Sequence, residues 1–311
     1  MFKQKKSLKE FFKTNILEKK LIIVFASIIS LLVILGSFIH TNNFSQNKSI
    51  ANNNTTTQSV DNSKTQTYNN VSNEVSSQKI KFSKATLIND NIGVPVLYYH
   101  SVTEPASNEV TITPEKLRIQ LKYIKDQGYI TLTMSELKDY LLNNFPIPEK
   151  SIVITFDDGY MDNYYNAFPI LKEFNMDATI FCITSDLNGS YYLSKEAIKE
   201  MSSYGIDIES HTVNHPKLSK MTYEEQLTEL KESKKTLESI TGKTVDSVAY
   251  PFGDFNEDSV KAAKSAGYTL AFTTNRGLAD RDDNPLKLDR IYISSAYDMN
   301  TFKEVLTKTK K

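Results

Sequence analysis

Hydrophobic positions along this chain fall into two regimes. Over residues 21–40 apolar side chains run together with no Lys, Arg, Asp or Glu among them. From about Val94 onward they recur at a period of two in short runs and near 3.6 in longer ones, the signatures of strands and amphipathic helices. The short runs predict strands over 94–100, 129–130, 151–156, 178–183, 207–210, 247–250, 270–273 and 291–293. Helical stripes separate them over 114–127, 134–142, 164–174, 195–203, 223–241 and 257–266. Leu117, Leu121 and Ile124 share one face of the first helix, and Leu227, Leu230, Leu237 and Ile240 share one face of 223–241. Gly242 and Gly267 stand where helices close. Repeated strand–helix alternation implies a parallel sheet, and seven or so units imply closure of that α/β sheet into a barrel.

The uninterrupted apolar run changes the picture at the N-terminal end. Twenty residues rising 1.5 Å each are long enough to cross a bilayer. Residues 1–20 carry seven lysines against Glu10 and Glu18, an excess that places this basic tail in the cytoplasm and the remainder outside. A cleaved leader usually has an apolar region of about 7–15 residues and a small-residue cleavage site. The longer run here and the poor site at Gly36-Ser37-Phe38-Ile39-His40 favour an uncleaved signal-anchor. Residues 41–92, rich in Asn, Ser, Thr and Gln, read as a disordered linker. Such a tether has an r.m.s. span of roughly 35–42 Å. Alternation over 79–90 leaves open that this stretch docks on the folded domain, expected over 93–311.

Charge narrows the partners. A formal net charge of zero hides +5 on residues 1–20 and +2 on 41–90, leaving −7 on 91–311. That acidic outer domain argues against nucleic acids and other polyanions. The domain is expected to act as a monomer. The single cysteine, Cys182, excludes an internal disulfide and reads as a small buried hydrophobe on a strand.

Chemistry collects at strand ends. Ile152-Val153-Ile154-Thr155-Phe156 ends in Asp157-Asp158-Gly159-Tyr160, and a later strand runs into His211-Thr212-Val213-Asn214-His215-Pro216. One Asp and two His are a sufficient ligand set for a hydrolytic metal, zinc above all, that keeps one position open to water. The second Asp is then free to act as a base. Apart from His40, every histidine (His100, His211, His215) lies at or just beyond a predicted strand end. An isolated histidine there is more often structural; three of them beside two carboxylates read as a functional cluster.

Thr155-Phe156-Asp157-Asp158-Gly159-Tyr160, with Asp162 and Asn163 after it, and His211-x-x-x-His215 resemble the first two motifs of the polysaccharide deacetylase (NodB homology) family of carbohydrate esterases. The resemblance covers roughly residues 94–295. It implies a distorted (β/α) barrel, a divalent metal that is usually zinc, Asp158, His211 and His215 as ligands, and Asp157 as general base. The third motif, normally Arg-x-Pro-aromatic-Gly, is here Ala249-Tyr250-Pro251-Phe252-Gly253, and no histidine follows His215. Both departures resemble the circularly permuted branch, such as exported poly-N-acetylglucosamine deacetylases. There the acid histidine comes from a first-strand motif, matched by Pro95-Val96-Leu97-Tyr98-Tyr99-His100. His100 is thereby the expected general acid, with the Phe252 amide at the oxyanion and Tyr160 lining the site. Arg290 is the candidate to orient Asp157 in place of the missing arginine; a barrel-end ion pair or surface charge is the competing reading. The implied activity is N-deacetylation of an N-acetylglucosamine polymer outside the membrane. An O-acetyl esterase, or a silent sugar-binding module, are the alternatives.

Overall fold

The computed structural model describes residues 81–310. The expected tail, crossing and tether as far as residue 80 lie outside the described residues. β1 (Val96–Tyr99), β2 (Ile130–Thr131), β3 (Ser151–Phe156), β4 (Thr179–Cys182), β5 (Asp207–Ser210), β6 (Ser247–Ala249), β7 (Leu270–Arg276) and β8 (Leu288–Tyr292) are parallel neighbours. Seven of them close into a ring, β1-β8-β7-β6-β5-β4-β3 and back to β1. Closure is made by β1, which sets Val96 opposite Val153 on one side and Leu97 opposite Ile291 on the other. The short β2 joins only the start of β3, Ile130 opposite Ser151. The expected barrel of (β/α)7 type is therefore present.

Helices α1 (Pro114–Asp126), α2 (Met134–Asn143), α3 (Phe168–Phe174), α4 (Lys195–Tyr204), α5 (Tyr223–Thr241), α6 (Glu257–Ala266) and α7 (Met299–Lys308) cover the ring. All but α3 begin at a polar cap: Thr113, Thr133, Ser194, Thr222, Asn256 and Asp298 each accept a hydrogen bond from the backbone amide three residues on. Such a cap contributes about 1 kcal/mol. Leu117, Leu121 and Ile124 of α1 and Leu230, Leu237 and Ile240 of α5 are buried against the outer faces of the strands.

Alternation along each strand sorts side chains between two cores. Leu97, Ile152, Ile154 and Ile180 face the helices, whereas Val96, Val153, Phe181, Phe272 and Leu288 belong to a second cluster inside the ring. Inward positions two apart therefore climb the interior: Val153, Thr155, Asp157; Val96, Tyr98, His100; Leu288, Arg290, Tyr292. Apolar side chains fill the lower layers and chemistry stands at the C-terminal mouth.

Residues 81–92, the end of the expected linker, pack on the barrel, the docking that the alternation over 79–90 left open: Leu87 and Ile88 pair antiparallel with Pro148 and Ile147, and Phe82 is buried. Three local features differ from expectation. β8 begins at Leu288, so Arg290 lies within a strand and not in the loop before one. The stretch expected as one helix from Tyr164 opens as a π-helical turn, Asn163–Ala167, before α3. Finally α7, which buries Phe302, Val305 and Leu306, adds a helix.

Candidate active site

β3 delivers two carboxylates in opposite ways. Asp157 continues the strand, its amide bonded to Tyr99 O at 2.9 Å, and points into the ring. Asp158 and Gly159 both have left-handed backbone, φ 70° and 72°, so the chain folds back and Asp158 is aimed across the mouth. Gly159 is needed there, because a Cβ would stand 3.2 Å from the Cys182 Cα. Among the described residues six non-glycine residues have positive φ, and four of them are Asp158, Thr212, His215 and Phe252. The other two, Asn144 and Asn175, merely close helices. Left-handed strain of roughly 1–3 kcal/mol per residue gathers at sites that need it, and β-branched Thr212 is an especially unfavourable occupant.

Arg290 is fully buried and meets Asp157 end-on. Nη1 donates to Oδ1 and Nη2 to Oδ2, both at 2.8 Å, the bidentate geometry of a strong charge-assisted pair. Its Nε donates to Thr273 O at 3.0 Å, and the guanidinium lies over the Tyr98 ring at 4.2 Å. Burial alone would raise the Asp157 pKa. The charge and hydrogen bonds of Arg290 outweigh it and hold the carboxyl below its ordinary range. Ala249 stands at the position where the common motif of the resembled family has its arginine, and its carbonyl takes a different task.

That task is to orient His211. The Ala249 carbonyl can only accept, so His211 Nδ1, 2.7 Å away, must donate to it. Nε2 faces Asp158 Oδ1 at 3.4 Å and carries a lone pair when the ring is neutral. Burial favours that form, but the hydrogen bond to Asp158 and the charges of both carboxylates outweigh it and raise the His211 pKa. His215 Nε2 lies at the same distance from the same oxygen. Lone pairs opposed across such gaps need a proton or a cation between them. Ligand atoms about 2.05 Å from a tetrahedral zinc lie about 3.4 Å from each other, so the spacing fits a common ion. Asp158, His211 and His215 form a cluster whose ligand atoms all fall within 4.8 Å of one another, suited to hold a metal. Burial would raise the Asp158 pKa, but hydrogen bonding to His211 and the charges of the three histidines lower it overall. His215 is pushed down to about 4 by burial and by His211.

His100, just past β1, is brought beside this centre because β1 lies between β3 and β8. Its Nδ1 is buried with no hydrogen-bond partner among the described residues. Burial lowers its pKa, and the nearby charges of Asp157 and Asp158 oppose that shift. The Tyr160 phenol is raised, first by burial and then by the Asp158 charge against it. Phe252 is 59% exposed, with its ring 4.3 Å from that of His215. The structure thus brings all eight expected residues, from His100 to Arg290, to one mouth.

One contributor has no place among the expected residues. Glu229 of α5 is buried, and Oε2 accepts from the amides of Val213 and Asn214 at 2.9 and 2.8 Å, while Oε1 accepts from Asn214 Nδ2. It thereby holds the loop that joins both histidines in its left-handed turns. A charged residue beside Leu230 on the buried stripe of an amphipathic helix was the available signal.

A family model described as Polysaccharide deacetylase matches residues 146–271, a span that holds Asp157 to Phe252 and leaves His100 and Arg290 on either side. A Bacillus subtilis (strain 168) protein named "Putative polysaccharide deacetylase YxkH" is 37% identical over 209 residues, 67% of this chain and 74% of that protein. A poly-beta-1,6-N-acetyl-D-glucosamine N-deacetylase of Staphylococcus epidermidis is 30% identical over 199 residues, 60% of this chain and 68% of that one. Among solved structures, the Streptococcus pyogenes deacetylase PplD in complex with acetate matches with a TM-score of 0.65 at 32% identity, over 70% of this chain and 99% of that one.

Proposed function

This chain belongs to the polysaccharide deacetylase family, hydrolases of amide bonds, and we propose that it removes acetyl groups from N-acetylglucosamine residues of an extracellular or cell-wall polysaccharide in a metal-dependent reaction. One observation carries the reading: an Asp–His–His ligand set and a second carboxylate clamped by a buried arginine meet at the same barrel mouth. The substrate class follows the Staphylococcus epidermidis relative, whose name states poly-beta-1,6-N-acetyl-D-glucosamine.

Asp158 Oδ1 and the Nε2 atoms of His211 and His215 would hold a divalent ion, zinc by their donor chemistry. Bound there, it supplies a Lewis acid for the acetyl carbonyl and a lowered pKa for water. Asp157, kept ionised and in fixed orientation by Arg290, accepts the proton of the attacking water. The Phe252 amide donates to the oxygen on which negative charge develops. His100 takes up a proton and passes it to the departing sugar nitrogen, whose C–N bond breaks as acetate forms. Tyr160 shapes the wall beside Asp158. The apolar run over 21–40 and the lysine-rich tail before it support anchoring by a single crossing, with the catalytic domain outside the cell.

The deciding assay incubates the protein with N-acetylglucosamine oligomers, with and without chelator, and measures acetate and free amine together. Equal release of both, abolished by chelator and restored by zinc, is expected. Acetate from an O-acetylated polymer without new amine would replace this reading by the esterase, and no product at all would leave only a binding module. Surface digestion of intact cells by an added protease should remove the domain; protection would overturn the proposed location.

A further inference from the structure

We propose that Tyr98 is a positioning residue for both members of the acid–base pair: its ring carries the Arg290 guanidinium that clamps Asp157, and the same ring supports His100. The inference rests on the deacetylase reading above, in which Asp157 is the base and His100 the acid.

Tyr98 stands inside the ring of strands, one layer above Val96 and one below His100. It is buried, yet it belongs to neither of the two apolar clusters that fill the barrel and its coat. Its neighbours are chemical groups instead. The Arg290 guanidinium lies 4.2 Å from the centre of its ring, whereas the rings of Phe181 and Phe272 are 5.7 and 5.9 Å from that cation. The His100 ring lies 5.8 Å from that of Tyr98, tilted by 57°. Tyr292, directly across from Tyr98 in the β1–β8 register, completes the enclosure at 5.3 Å from Tyr98 and 6.3 Å from His100.

Hydrogen bonds hold the guanidinium only along its edge. Nε donates to Thr273 O, Nη1 to Thr155 Oγ1 and Asp157 Oδ1, and Nη2 to Asp157 Oδ2. A planar fork gripped at its edge can still tilt, and what lies against its face sets that tilt. Tyr98 is the nearest aromatic face, and a cation over a ring is attracted most strongly where water is excluded. Without the ring, the fork can rock and spoil its two-point match to Asp157. His100 follows two residues on, on the same side of β1, so the support under the base's clamp also sets where the acid stands. One side chain thereby fixes the spacing of acid and base, and a misplacement of about 1 Å can cost about 10²-fold in rate.

The test measures steady-state kinetics of the full chain on N-acetylglucosamine oligomers, with bound metal and thermal melting followed alongside. Tyr98→Leu should lower kcat about ten- to thirtyfold, while KM and metal content stay at wild-type values. Tyr98→Phe, which keeps the ring and loses only the hydroxyl, should recover most of that loss. Wild-type kcat in Tyr98→Leu would overturn the proposal, as would a Tyr98→Phe variant equally slow, or a loss that tracks metal content. If Tyr98→Leu does not fold, Tyr98→Met, with its more adaptable side chain, takes its place. Failure of both to fold would make the ring a support of the barrel and sink its positioning role. An inactive wild-type chain would instead overturn the deacetylase reading on which the proposal rests.

Discussion

Strand β5 carries Asp207 and Glu209 toward one end of the barrel and leads into His211 at the other, and the acids at the two ends are tuned in opposite directions. At the C-terminal mouth Asp157 and Asp158 titrate below the ordinary carboxylate range. Near the N-terminal end burial raises Asp207 to about 6, and burial followed by the charges of Asp207 and Asp246 holds Glu209 well above its usual value. Burial pushes all four upward; compensation separates them. The upper pair has a bidentate guanidinium and three imidazoles. Each lower acid has one backbone donor, Met134 N at 2.7 Å for Asp207 and Ser247 N at 2.8 Å for Glu209, with other acids nearby and the charge of one lysine, Lys243 or Lys234, too weak to offset burial. A buried carboxylate in this fold is an ionised reagent only where a cationic partner is built beside it.

The largest effect should come from emptying the upper mouth. His211→Ala should abolish metal retention, measured by elemental analysis, and reduce deacetylation to background; turnover surviving without metal would break the reading. Arg290→Met leaves Asp157 buried without its partner. We expect kcat to fall on the order of 10²–10⁴ and the fold to lose about 3–5 kcal/mol in denaturant titration. A variant that keeps wild-type turnover would make Arg290 a structural charge only. Glu229→Gln keeps the side-chain shape but weakens its grip on the histidine loop. Metal affinity, read by competition with a chelator, should drop about 10–100-fold, and an unchanged affinity would remove Glu229 from the site.

The smallest effect belongs to the lower end. Asp207 has an ordinary pKa of 3.8 and a folded value of about 6. Below the first both states hold the proton, and above the second both have lost it. Stability should therefore fall by on the order of 2 kcal/mol as pH rises from about 4 to 6. Asp207→Asn should flatten that slope in thermal melts. A slope of the opposite sign would show that the lower acids are compensated after all, and the contrast between the two mouths would fail.

Much of the molecule could be read before any coordinates. Strand and helix periods are local, so the alternation that closes into a barrel was legible, as were the paired carboxylates after β3 and the histidines after β5. The register of β8 was not: an arginine inside a strand resembles a loop until its partner is known, and Asp157 lies 133 positions away. The same holds for Glu229 beneath the histidine loop, and for the partner of residues 81–92, since alternation suggested that they dock but only the fold placed them at Ile147 and Pro148.

Side-chain order along the chain thus settled which residues could do chemistry and which strand ends would present them. Ring closure settled which of them meet, because β1 wedged between β3 and β8 brings His100 and Arg290 to the Asp157 carboxylate. Left-handed turns at Asp158, Thr212, His215 and Phe252 then aimed the groups at one point. Periodicity is a property of neighbours in sequence. Compensation of a buried charge is a property of neighbours in space, and the folded barrel alone supplies those.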